Sequence, residues 1–214
     1  MLLKDNNKNN LFLFISMEKI ILATTSPRRH FLAEMMGLDF KIAPSNYEED
    51  MTLNLKPKEL VLKFSYGKAL DVSKKYKKGF VIGIDTIVVF KNKNIGKPKS
   101  YQEAFKMLKS FSGKKQQVYS GVTIINCKTK EVIKDCEITD VYFKKLTDSE
   151  IKNYLKTGEY KDKAGGYGIQ GLGSILITKV DGCYFNVVGF PIQNIYKNLN
   201  KIGYNVFSGK KWKS

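Results

Sequence analysis

The run Val81–Phe90 (VIGIDTIVVF) is apolar and largely β-branched, the pattern of a central strand covered on both faces. A shorter β-rich run, Lys19–Thr24, breaks at Thr25-Ser26-Pro27, and Arg28 to Gly37 then takes up helical spacing that Gly37 closes. Asp39–Ala43 reads as a second short strand. Pro57 suits the first turn of a long helix reaching about Tyr76, with Val61, Phe64, Lys68 and Val72 along one inward stripe. Ser100–Ser110 is amphipathic and helical. Gln117–Asn126 and Val132–Phe143 alternate on either side of a polar turn, which predicts a hairpin. Thr147 with Glu150 forms a capping box that opens a helix to Thr157. A glycine-rich loop from Gly158 to Gly173 follows, then a strand over Ser174–Val180, a turn at Asp181-Gly182 and a last helix opened by Pro191. Strands and helices mix without strict βαβ alternation. The expected fold class is therefore α/β, a mixed twisted sheet with helices on both sides.

With 214 residues the chain has room for one ordinary domain. Residues 17–207 are expected to form it, as two lobes around a cleft. The Asn/Lys-rich start and the short apolar patch Leu11 to Ile15 read as a flexible extension over 1–16, with Met17 an alternative start. Residues 208–214 form a basic tail. No apolar run reaches the ~18–20 residues that span a bilayer, so no membrane partner is expected. Cys127, Cys136 and Cys183 are odd in number and lack CxxC spacing, so they read as reduced thiols of an intracellular protein.

Charge narrows the partner. Lys+Arg number 37 against 20 Asp+Glu, a net +17 that favours an anionic ligand: nucleic acid, an anionic membrane or a phosphorylated small molecule. A single histidine, His30, excludes HExxH and Cys₂His₂ metal patterns. Only Arg28 and Arg29 are arginines; every other cation is lysine. Placing both guanidiniums side by side points to a site where a planar, two-pronged donor is needed rather than a point charge.

Four places break the local pattern and carry candidate chemistry. Asp85 is the one charge in the central strand, and a lone buried carboxylate needs a cation or metal to meet it. Lys68 puts an ammonium in an inward stripe, where it either snorkels to the edge or points into a site. Ser26-Pro27-Arg28-Arg29 leaves a strand and enters a helix, an arrangement that cradles anions without being a Walker A loop. Asp162 to Gly171 (DKAGGYGIQG) permits close backbone approach to a ligand, with Tyr167 and Gln170 placed to contact a base.

Taken in order, ILATTSPRR, GIDTIVVF, Gly96-Lys97-Pro98, the run from Ser112-Gly113 through Ser120-Gly121-Val122, and DKAGGYGIQG resemble the Maf family of nucleoside triphosphate pyrophosphatases over residues 18–200. The resemblance implies a fold related to the inosine triphosphate pyrophosphatases, a cytoplasmic homodimer, and a divalent cation, Mg²⁺ or Mn²⁺. The implied reaction cuts between the α and β phosphates, releasing a monophosphate and pyrophosphate. It also implies phosphate contacts from Ser26, Arg28, Arg29, Lys68, Lys97 and Lys163. Glu49 and Asp85 become metal ligands, with Asp85 acting as base, ligand or both. The family commonly has His two residues before the position of Val118; here Gln116 stands there, which removes imidazole.

Arg28, Thr86 and Gln170 resemble the branch acting on dTTP and UTP. The branch acting on 7-methyl-GTP tends to carry Trp, Gln and Glu at those positions. The amide of Gln170 can both donate and accept, matching the one N–H between two carbonyls of uracil or thymine. A nucleic-acid-binding protein is the alternative from another class, suggested by +17 and by Lys74, Lys75, Lys77 and Lys78. Tyr76 alone is thin aromatic support for it.

Overall fold

A computed structural model describes residues 19–207. The expected extension at 1–16 and the basic tail at 208–214 lie outside the described residues. In chain order the elements are β1 (Ile20–Leu22), α1 (Pro27–Met35), β2 (Phe40–Ile42), α2 (Pro57–Ser73), β3 (Phe80–Phe90), β4 (Lys93–Ile95), α3 (Tyr101–Phe111), β5 (Lys115–Asn126), β6 (Val132–Phe143), α4 (Asp148–Lys156), β7 (Ile177–Asp181), α5 (Tyr184–Val188) and α6 (Ile192–Lys201). One sheet joins all the strands in the order β2-β1-β3-β5-β6-β7, with β4 also on β3. The β1 pairings with β2 and β3 are parallel and the rest antiparallel, so the sheet is mixed.

Pleating of β3 sorts the two helical layers. Val81, Ile87 and Val89 face α2, packing with Leu60, Val61, Phe64, Ala69 and Val72. Ile82, Ile84, Val88 and Phe90 face the other way, into the larger core built with Leu32 of α1, Leu108 and Phe111 of α3, Leu155 of α4 and Leu199 of α6. Helices therefore cover both sheet faces, as the pattern predicts.

Most boundaries fall within a few residues of the expected ones, and the capping box at α4 is present: Thr147 Oγ1 accepts from the Glu150 N–H, and the Glu150 carboxylate accepts from the Thr147 N–H. Three elements differ. Residues Leu172–Leu176 form a 3₁₀ turn, and the strand expected from Ser174 starts only at Ile177. The Ser174 N–H and hydroxyl both donate to the Gly171 carbonyl, which holds the backbone in a turn. The Asp181-Gly182 turn leads into the short helix α5, which sequence pattern does not signal. The polar segment around Asn94 becomes β4, because Lys91 and Asn92 take positive φ (50° and 61°) and fold the chain back on β3.

Two close approaches fix the height of α2 above the sheet. A Cβ on Gly83 would lie 2.3 Å from the Ser65 carbonyl oxygen, and one on Gly121 would lie 2.2 Å from that of Val61. Only glycine fits at these positions, and α2 rests directly on the β3 and β5 backbones.

Candidate active site

The pairing pattern opens a gap in the sheet. One edge of β3 pairs with β1 over Phe80–Ile82 and with β4 over Val88–Phe90, so residues 83–87 have no strand beside them on that edge. Asp85 and Thr86 sit in the gap with their side chains on opposite faces. A cavity of about 730 Å³ opens there. Its lining brings together Ser26, Arg28, Arg29, Glu49, Lys68, Asp85, Thr86, Lys97, Lys163 and Gln170, the residues expected from sequence to bind phosphate, metal or base, as well as Tyr167. They come from the β1–α1 turn, the first turn of α1, the segment before α2, α2 itself, β3, the stretch after β4 and the glycine loop. That is the space a nucleotide of several hundred Å³ requires.

The α2 side of the gap holds a compact charge cluster. Lys68 Nζ lies 2.7 Å from Asp85 Oδ1 and 2.6 Å from Glu49 Oε1. Its stem runs along the inward stripe and its ammonium points into the site. Asp85 is 5 % exposed, and among the described residues its Oδ2 has no hydrogen-bond partner. Burial pushes the Asp85 carboxyl above its ordinary value, Lys68 opposes that, and Glu49 adds to it. An unbonded oxygen on a buried carboxylate is what a proton or a hard cation would meet. Glu49 and Asp85 converge on one ammonium and offer only oxygen donors, a set that suits Mg²⁺ or Mn²⁺ completed by water and phosphate. No group of three or more His, Cys, Asp or Glu suited to a metal occurs among the described residues.

On the opposite face the arginines separate. Arg28 is exposed at the mouth of the cavity, while Arg29 turns inward. Its Nε donates to the Gly189 carbonyl at 2.9 Å and Nη1 to the Ile84 carbonyl at 3.0 Å. Nη1 also reaches Thr24 Oγ1 at 3.4 Å, and Nη2 reaches Thr86 Oγ1 at 3.2 Å. Thr86 pairs in turn with the Ser120 hydroxyl at 2.8 Å. Ser26 caps α1 in an extended conformation without a side-chain capping bond and lines the cavity beside the helix N-terminus.

The glycine loop closes the remaining side. Lys163 Nζ donates to the Glu159 carbonyl at 2.5 Å, and burial together with Arg28 draws its ammonium below the ordinary lysine value. Gln170 is exposed at the cavity wall. Tyr167, expected to face a base, borders the cavity but is largely buried, and its hydroxyl accepts from Gln116 Nε2 at 2.5 Å. Gln116 therefore props the loop from below and does not line the cavity. Sequence reasoning missed Glu159, whose Oε2 accepts the Gly173 N–H at 2.8 Å, and Tyr47, which lines the same cavity. A carboxylate in a loop and a tyrosine before a helix carry no periodicity to mark them.

Residues 19–202 match the family described as Maf-like protein. A dTTP/UTP pyrophosphatase of Thermoanaerobacter sp. is 47% identical over 184 residues, 86% of this chain and 96% of that protein. Those of Carboxydothermus hydrogenoformans (44% over 87% of this chain and 100% of that protein) and Methanosarcina mazei (40% over 89% and 98%) are similar too. The solved Ham1 protein of Staphylococcus aureus superposes with a TM-score of 0.42 at 13% identity, covering 59% of this chain and 72% of that one. The motifs that line the cavity, the match from residue 19 to 202 and the relatives near half identity agree, and the chain belongs to the Maf-like family.

Proposed function

We propose that the protein hydrolyses nucleoside triphosphates, dTTP and UTP before others, to the monophosphate and pyrophosphate. The observation that carries this is the Lys68–Asp85–Glu49 cluster in the sheet gap, with Asp85 Oδ2 buried and unbonded. The choice of substrate rests on relatives of 40–47% identity that bear the name dTTP/UTP pyrophosphatase.

A triphosphate brings roughly four negative charges, which repel an attacking water until they are neutralised. Lys97 and Arg28 at the mouth, Lys163 on the loop and the Ser26 turn at the α1 N-terminus are placed to hold the phosphate chain. Lys68 fixes Asp85 through Oδ1 and leaves the buried Oδ2 unbonded, free to accept a proton from water. The raised affinity of Asp85 for a proton suits that task. Glu49 and Asp85 would hold Mg²⁺ or Mn²⁺, which when bound supplies further neutralisation of phosphate charge. Gln170, on the exposed loop, is the residue we assign to reading the pyrimidine edge. The enzyme is read as a cytoplasmic homodimer; no helix among the described residues is long and apolar enough to cross a membrane.

The test is product analysis with a panel of triphosphates and Mg²⁺. Pyrophosphate and monophosphate in equal amounts, fastest from dTTP and UTP, are expected. Orthophosphate as the first product, or faster turnover of 7-methyl-GTP, would overturn the reading.

A further inference from the structure

The two arginines of the first turn of α1 divide their labour. Arg28 lines the cavity and is exposed to solvent. Arg29 directs Nε, both N–H groups of Nη1 and one of Nη2 to protein oxygens, which leaves one of its five N–H groups for anything else. Two of those acceptors belong to Ile84 and Thr86, the residues on either side of Asp85. They lie where β3 has no neighbouring strand, so the Ile84 carbonyl takes from Arg29 the bond that a strand would otherwise supply. The Gly189 carbonyl, at the end of α5, ties the same fork to the other wall of the cavity.

We propose that Arg29 is a positioning residue for Asp85, clamping the open edge of β3, and that phosphate binding falls to the exposed Arg28. A guanidinium suits this task because its planar fork reaches four acceptors at once; an ammonium in its place carries the charge but cannot span Gly189, Ile84 and Thr86 together. The assignment rests on the pyrophosphatase reading above.

Comparing Arg29→Lys with Arg29→Met tests it, because only a phosphate ligand would be rescued by charge. If Arg29 positions Asp85, both variants lose kcat by about 100-fold, as a misplacement near 1 Å does. KM for dTTP and the inhibition constant of inorganic tripolyphosphate then stay within about threefold of the unsubstituted protein. A lysine variant at least about tenfold more active than the methionine one, a comparable rise in either constant, or unchanged kcat would overturn the proposal. A measurement on the unsubstituted protein keeps the test independent of variant folding. With only two arginines in the chain, its ¹⁵N spectrum carries two Nε–H signals. The Arg29 signal should exchange with water about tenfold more slowly than that of Arg28 in the ligand-free protein, since its Nε–H is hydrogen-bonded. Equal exchange would count against the clamp. Should the unsubstituted protein prefer another triphosphate, the substrate reading alone fails, and the two variants are compared on that triphosphate.

Discussion

Replacing Gly83 by Ala should damage the site without touching any residue in it. The new Cβ would lie 2.3 Å from the Ser65 carbonyl oxygen and 2.8 Å from the Ala69 nitrogen, one turn of α2 that contains Lys68. An ordinary carbon–oxygen contact is about 3.3 Å, so this part of α2 must lift by about 1 Å. Lys68 Nζ would then move from 2.7 Å to about 3.7 Å from Asp85 Oδ1, beyond hydrogen-bond reach. At an effective dielectric near 20 that separation costs about 1.7 kcal/mol of attraction. Overpacking adds roughly 1–3 kcal/mol, which at this size lowers Tm by roughly 2–12 °C. Turnover should fall by about 100-fold, because Asp85 loses the group that orients it. Differential scanning calorimetry and initial-rate assays on dTTP read both effects. Gly96→Ala is the stability control, since a Cβ there has nothing within 4 Å. Wild-type Tm and kcat in Gly83→Ala would refute the idea that this glycine sets the distance between helix and sheet.

Three further outcomes are expected. Asp85→Asn keeps the shape of the side chain but removes its charge, and should cut kcat by more than tenfold, about 1.4 kcal/mol of barrier, with the circular dichroism spectrum unchanged; a variant retaining more would show that Asp85 is not the base. The dTTP and UTP kcat/KM should exceed that of 7-methyl-GTP by at least about tenfold, and Gln170→Glu should narrow that ratio, because a carboxylate faces the pyrimidine carbonyls unfavourably; an unchanged ratio would detach Gln170 from base reading. Lys144, with the Thr147 N–H, holds the Glu150 carboxyl down to about 2, so its stabilisation is present above the ordinary glutamate range near 4.5 and is lost as pH falls toward 2. Glu150→Gln should therefore lower Tm at pH 7, with the difference from wild type closing between pH 4.5 and 2; a constant difference across that window would contradict the linkage.

Local pattern alone decided much of this protein. The unbroken apolar run around Asp85, the Thr147–Glu150 box and the turn at Ser26-Pro27 each obey short-range rules, namely two-face burial, capping and a helix start. All three appear where those rules put them. The same logic marked Asp85 and Lys68, because a charge in an apolar pattern is visible in one dimension. What Lys68 does was not visible there: an ammonium in an inward stripe can reach water or a partner, and the height of α2 over Gly83 and Gly121 decided for the partner. Arg28 and Arg29 are adjacent in the chain, yet one reaches solvent and the other the unpaired carbonyl of Ile84. Their roles separate only because β1 ends before β3 does. Glu159, Tyr47 and the strand at Asn94 left no mark in the sequence, since their places depend on what the folded chain brings beside them. Periodicity records which residues are buried; which atoms meet across a gap between strands depends on register, and register exists only once the sheet is formed.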